Sequence, residues 1–225
     1  MRSILMACLL LLFVVSCSQK ETFRVDGSVP DTTFNGSKVY LVALDGPISR
    51  NVDSTFIVNR TFDFEKRADS LCVEIIRAPL LARNALQELV VVNEKGTLNV
   101  VLSTNSHSEG TRLNNILQEW KELKQSYDSA QETLYSQKSR EGVSKKFIDS
   151  IMKYSDSLGK NYESYVMQLM NENIHNGIGL LLFKVNYQNL AGEDKKRILK
   201  QTGKLYCRKD AQLRLMISND KSSAK

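Results

Sequence analysis

Proline and glycine are scarce, 3 and 11 among 225 residues, which excludes collagen-like, proline-rich and glycine-linker architectures. Four cysteines are too few to staple a disulfide miniprotein of this length. None forms a C-x-x-C pair, so a dithiol redox catalyst is excluded on residues alone. His107 and His175 are the two histidines, far apart in the chain and each beside a loop-forming residue, Ser106 and Asn176. H-E-x-x-H, EF-hand, G-x-x-x-x-G-K-[ST] and G-x-S-x-G patterns are all missing. No catalytic, metal or cofactor-binding residue is therefore expected, and no cofactor. A hydrolase with His107 or His175 as base would lack the turn that exposes a nucleophile.

The composition is otherwise that of a globular chain, 42% hydrophobic and 25% charged, with enough apolar residues for a real core. One long hydrophobic run exists. Arg2 precedes an unbroken apolar stretch over residues 4–15, closed by Ser16-Cys17. That run is too short for a helix spanning about 30 Å of hydrocarbon and fits the apolar region of a secretory signal. Val14-Val15-Ser16-Cys17 resembles the bacterial lipobox, in which the cysteine sulfur takes a diacylglyceryl group and becomes the new N-terminus. The expectation is a cleaved signal peptide over 1–16, lipid attachment at Cys17, and a short tether over 17–21. The alternative is an ordinary cleaved signal in which Cys17 is coincidental. Two or more acyl chains hold a protein lastingly to a bilayer where one does not. Ser18-Gln19-Lys20-Glu21 lacks the acidic cluster that, by resemblance, marks surface-exported lipoproteins of the Bacteroidetes. The expected location is thus the cell envelope, on the periplasmic face of the outer membrane, which argues against a nucleic-acid partner.

Once Arg2 leaves with the leader, 30 basic groups face 25 acidic ones, net +5. The excess sits at one end: residues 191–225 carry 10 Lys/Arg and 4 Asp/Glu. Such a region could lie against anionic headgroups beside the anchor, or Lys195, Lys196, Arg197, Lys200 and Lys204 could simply form the solvated face of a helix. Besides Cys17, the mature chain keeps Cys72 and Cys207. A bridge between them would contribute about 4 kcal/mol on the chain-entropy model, but no sequence signal brings them together, and two buried free thiols is the simpler reading.

Residues 22–104 read as a β-sandwich of seven short strands. Residues 22–29 alternate with Phe23, Val25 and Val29 inward; 38–44 follow, then 55–58 and 61–64 as a hairpin around Asn59-Arg60. A strand through Cys72 comes next, and 86–92 with 97–102 suggest another hairpin around Glu94-Lys95-Gly96. Residues 103–110 read as a loop, with Thr111 as N-cap of a long helix. Leu113, Ile116, Trp120, Leu123, Tyr127, Ala130 and Leu134 recur at steps of three and four, a continuous apolar seam. Ser144 caps a second helix with seam Phe147, Ile151, Tyr154, Leu158, Tyr162, Tyr165 and Leu169. Two such helices joined by a short connection pack antiparallel. The apolar run 178–185 should be buried, 190–201 and 205–217 form shorter helices, and 218–225 a loose tail. The fold class is α+β: an antiparallel sandwich, then a helical domain over 111–217 with a long hairpin. Asp53-Ser54 opens a strand and could bind something, though such pairs more often bond nearby backbone. Trp120, Tyr154, Tyr162 and Tyr165 could form a sugar-stacking platform, but their helical spacing makes them seam residues first.

One ordered series runs through this half: Phe23-x-Val25-x-Gly27-x-Val29, Gly36-x-Lys38-Val39-Tyr40-Leu41, Asp53-Ser54, Phe62-x-Phe64, Glu94-Lys95-Gly96-Thr97-Leu98, and Gly110-Thr111-x-Leu113-Asn114. It resembles the domain-of-unknown-function family numbered 4369 of Bacteroidetes lipoproteins, over residues 22 to about 120. The resemblance implies a β-rich module that in many relatives precedes a thioredoxin- or peroxiredoxin-like domain. This chain is expected to lack that domain, and without a C-x-x-C the family's redox association attaches to no residue here. Arg60 stands where relatives usually have Gly, so Asn59 is expected to carry more of the turn strain. These features imply a lipid-anchored, non-catalytic interaction module held to the membrane and facing a protein partner in the envelope. The alternative is an accessory partner of a separate thioredoxin-like thiol oxidoreductase.

Overall fold

The computed structural model describes residues 21–44, 46, 52–78 and 86–223. The leader, Cys17 and residues 18–20 of the tether lie outside the described residues, as do Asp45 and Pro47 of the turn after the second strand.

Period-two alternation builds two four-stranded sheets. The first has the order β4 (Thr61–Arg67), β1 (Thr22–Ser28), β7 (Gly96–Val101), β8 (His107–Glu109). The second has the order β3 (Asp53–Phe56), β2 (Lys38–Ala43), β5 (Val73–Arg77), β6 (Leu89–Val92). Phe23, Val25, Phe62, Phe64 and Leu98 from the first sheet meet Val39, Leu41, Ile76, Leu89 and Val91 from the second in one dry core. The pairing is antiparallel except between β1 and β7, which run parallel, Val25 opposite Leu98.

Both expected hairpins turn out to be crossings between sheets. β3 and β4 lie in different sheets, joined at Asn59-Arg60 by a single bridge, Val58 to Thr61. β6 and β7 are likewise divided. A tight turn fixes how the chain reverses but not which sheet receives the next strand. The strain at the first crossing is also shared: Asn59 and Arg60 both adopt positive φ, 51° and 66°, and the Arg60 amide donates to Asn35 Oδ1 at 2.9 Å. The stretch expected as a loop before Thr111 contains an eighth strand, β8, which extends the first sheet past residue 104.

The second sheet is covered twice. On β6, Leu89 and Val91 face the sandwich while Val90 and Val92 face the helices. That is why the run reads as continuously apolar, the signature of a strand buried on both faces. The helical layer comprises α1 (Arg112–Lys138), α2 (Lys145–Glu172), α3 (Gly177–Asn186), α4 (Gly192–Lys209) and α5 (Ala211–Ser223). Within α3, residues 177–184 are all buried, but Val185, the last of the apolar run expected to be buried, is exposed where the helix turns one side out of the core. The expected break near residue 202 falls instead at Asp210, whose extended backbone separates α4 from α5. Helix α5 continues through Ser223, over most of the stretch expected as a tail.

Asn114 joins the layers. Its amide, wholly buried, accepts from Val92 N and donates to Val92 O, both at 2.8 Å. A side chain thus occupies the place of a neighbouring strand at the edge of β6. Thr111 does stand at the N-cap of α1 with extended backbone, but its side chain makes no cap bond. Glu94 supplies it from the β6–β7 connection, accepting from Leu113 N at 2.7 Å. Gly110 is obligatory beside it, because φ is +125° and a Cβ would lie 2.6 Å from Thr97 O.

Candidate functional site

Three places on the described surface gather chemistry. The first is the junction where the sandwich meets α4 and α5. Asp69 lies in the β4–β5 connection with its backbone tied to Asn93, and Lys209, the last residue of α4, forms an ion pair with it. Cys72 lies 4.0 Å from the Lys209 ammonium. Burial pushes the Cys72 thiol up, the Asp69 carboxylate adds to the shift, and Lys209 opposes it. Burial also acts to raise Asp69, but the hydrogen bonds from Lys209 and the Leu71 amide outweigh it and hold the carboxyl below its ordinary value. Cys72 lines a cavity of ≈ 320 Å³ with Leu44, Leu71, Leu180 and Lys209. On its other side is a wider polar recess of ≈ 730 Å³, bordered by Glu21, Arg67, Asp69 and Lys95. Cys207, two residues before Lys209 on α4, packs at the edge of the helical core; both thiols are half-buried and free.

The second place is the mouth of the sandwich. Lys66, inward on β4, reaches across to Glu74 Oε1 of β5 at 2.7 Å and to Asp53 Oδ2 at 3.2 Å. Asp53 therefore anchors an ion cluster between the sheets rather than capping nearby backbone. Glu74 Oε2 is buried without a partner.

The third is the helical hairpin. Its root is buried through Leu113 and Leu117 on α1 and Val166, Leu169 and Met170 on α2. Beyond the root only Ile151 is buried, and Phe147, Met152, Tyr154 and Tyr135 are exposed. The long arm is held by its own contacts. Tyr127 and Tyr162 stack at 4.3 Å with rings 9° apart, and Ser155 Oγ donates to Gln131 Oε1 at 2.6 Å while Gln131 Nε2 donates to Ser155 O at 3.3 Å. Beside this clamp an open groove of ≈ 370 Å³ runs between the helices, lined by Leu123, Tyr127, Ala130, Leu158, Tyr162 and Tyr165. Burial raises the Tyr165 phenol, and the nearby Glu119 and Glu172 add to the shift, so acidic groups flank the groove at its root.

The residues singled out in the sequence scatter. His107 is exposed on the edge strand β8 and His175 is exposed between α2 and α3. Tyr154, expected in the seam, is 61% exposed, whereas Tyr162 and Tyr165 line the groove. Leu123 also sits on the seam's open side, because the half-covered stripe along this part of α1 passes through Lys121 and Lys124 instead. Among the described residues, no group of three or more His, Cys, Asp or Glu could hold a metal ion, and no helix is long and apolar enough to cross a membrane. The junction of Asp69 with Lys209 carried no sequence signal, since 140 residues separate the pair.

No curated protein matches the chain. Residues 23–117 match the family described as Domain of unknown function (DUF4369). The match begins at Phe23 on β1 and ends at Leu117 on α1, so it takes in both sheets, the Glu94 cap and the Asn114 clasp. The sandwich, together with the first turns of α1, is thus the part of the chain similar to that family.

Proposed function

We propose that the protein is a lipid-anchored lipoprotein of the cell envelope that acts as a non-catalytic interaction module, with the α1–α2 hairpin as its docking arm. The hairpin groove carries this reading. Two helices bury one face of each other and leave a second apolar face in water; such a surface is a liability unless something covers it. Its spacing of apolar side chains suits a third helix, the helix-in-groove mode of recognition. Glu119 and Glu172 flank its root, so the occupant is an amphipathic helix of another envelope protein with an apolar stripe and Lys or Arg beside it.

Placing a photo-crosslinking side chain at Leu123 or Asn161, both on the groove wall, in intact cells, with Lys138 as a control position, tests this. The expected adduct forms at the groove positions only, maps to an amphipathic basic helix of one partner, and disappears with Tyr165→Asp. Adducts mapping to the protein's own hairpin, or equal labelling from Lys138, would overturn it. The accessory-oxidoreductase alternative needs a reactive thiol, and a raised Cys72 pKa works against thiolate attack on a partner.

A further inference from the structure

Helix α4 has two opposed faces. Ile198, Thr202 and Tyr206, spaced by four, are buried in the helical core. Two residues out of phase, Lys196, Lys200, Lys204 and Arg208 form an exposed ridge with the same spacing, about 18 Å long at 1.5 Å per residue. Like charges four residues apart repel on a helix, and none of these four takes part in an ion pair or side-chain hydrogen bond among the described residues. Their neighbours differ: Arg197 is paired with Asp194 and Lys209 with Asp69.

The ridge ends where the chain leaves for its N-terminus. Arg208 adjoins Lys209, Lys209 pairs with Asp69, and the adjacent Ala68 amide donates to Glu21 O at 2.8 Å. Arg67 and Lys95 border the same recess, and Lys95 lies 3.6 Å from Glu21. Four residue steps separate Glu21 from Cys17, a reach of at most about 14 Å.

From this we infer that the α4 ridge is a docking surface for anionic lipid headgroups, which lays the protein along the bilayer that holds it. The inference rests on the lipid attachment proposed above. A tether this short places the Glu21 edge, and the Arg208 end of the ridge with it, against the headgroups; a basic ridge there meets complementary charge. Each basic residue near an anionic surface is worth about fivefold in partitioning. The attraction falls off within a Debye length, about 10 Å at 0.1 M salt.

The test mixes the full chain with vesicles of phosphatidylcholine, or of phosphatidylcholine mixed with phosphatidylglycerol, and footprints lysines by acetylation and mass spectrometry. On anionic vesicles at low salt, Lys196, Lys200 and Lys204 should be shielded severalfold, while Lys146 and Lys160 on the hairpin stay reactive. On neutral vesicles all five should react alike. The triple neutralisation K196Q/K200Q/K204Q should weaken partitioning to anionic vesicles about a hundredfold. Equal acetylation of the ridge on both vesicles while the chain floats with them would overturn the inference and direct the ridge to an acidic macromolecule. A chain that floats only with anionic vesicles at low salt would leave the ridge standing and remove the lipid anchor instead.

Discussion

At the scale of single residues, the position that most depends on its neighbours is Asn114. With the amide gone, the buried Val92 N–H would lose its partner, while Val92 O would still accept from Glu94 N, and an unsatisfied buried group costs about 1–3 kcal/mol. Asn114→Ala should therefore lower the free energy of unfolding by about 2 kcal/mol, read from urea denaturation at unchanged m-value. Arg60 makes the opposite case. A side chain held at φ 66° costs about 1 kcal/mol that glycine does not, so Arg60→Gly should raise stability by roughly that amount. An unchanged midpoint would mean that the greater freedom of glycine in the unfolded chain offsets the strain relieved. Arg60 was visible in the sequence as a departure from the family pattern. Its share of the strain was not, because a pair of turn residues does not reveal how two φ angles divide the work.

Among the elements, α3 is the most constrained. Gly177 approaches Val73 and Val92 closely, and at Gly179 a Cβ would run into the backbone of Asn173. Overpacking of this kind typically costs 1–3 kcal/mol. Gly179→Ala should accordingly destabilise the protein by about 2 kcal/mol by thermal unfolding, although alanine is the better helix former. The hairpin should behave differently. Leu123→Glu, 40% exposed, should leave the melting temperature within about a degree and still abolish the groove adduct. Element types were legible from periodicity alone: 3.6 for α1 and α2, two for β1 and β4, and an unbroken apolar run for α3. The true register of α1 was harder to read, since a seam of threes and fours drifts around a helix and only packing decides which side is covered. Tyr154 and Leu123 fall on the open side for that reason.

For the molecule as a whole, the Asp69–Lys209 pair ties the sandwich to the helical layer, and its effect depends on pH. The folded Asp69 carboxyl lies below its ordinary value, so its contribution is present above pH 4–5 and is lost as pH falls through the folded pKa. Lys209 is raised, first by its bond with Asp69, so its share persists until pH climbs beyond the ordinary lysine range. Both groups are partly exposed, which keeps the pair at about 0.5 kcal/mol. Asp69→Asn should lower the melting temperature by about 1–2 °C between pH 6 and 9, and the gap should close below pH 4. A gap independent of pH would assign the loss to the Leu71 amide bond instead. The sequence by itself determined the α+β order, the inward strand residues, the buried α3 and the basic bias of the C-terminal region, because burial imposes a local period that composition records. Only the tertiary structure decided which sheet each strand joins, which face of the hairpin stays open, and that Lys209 meets Asp69 beside Cys72. Those outcomes depend on contacts between distant segments, and such contacts leave no periodic trace along the chain.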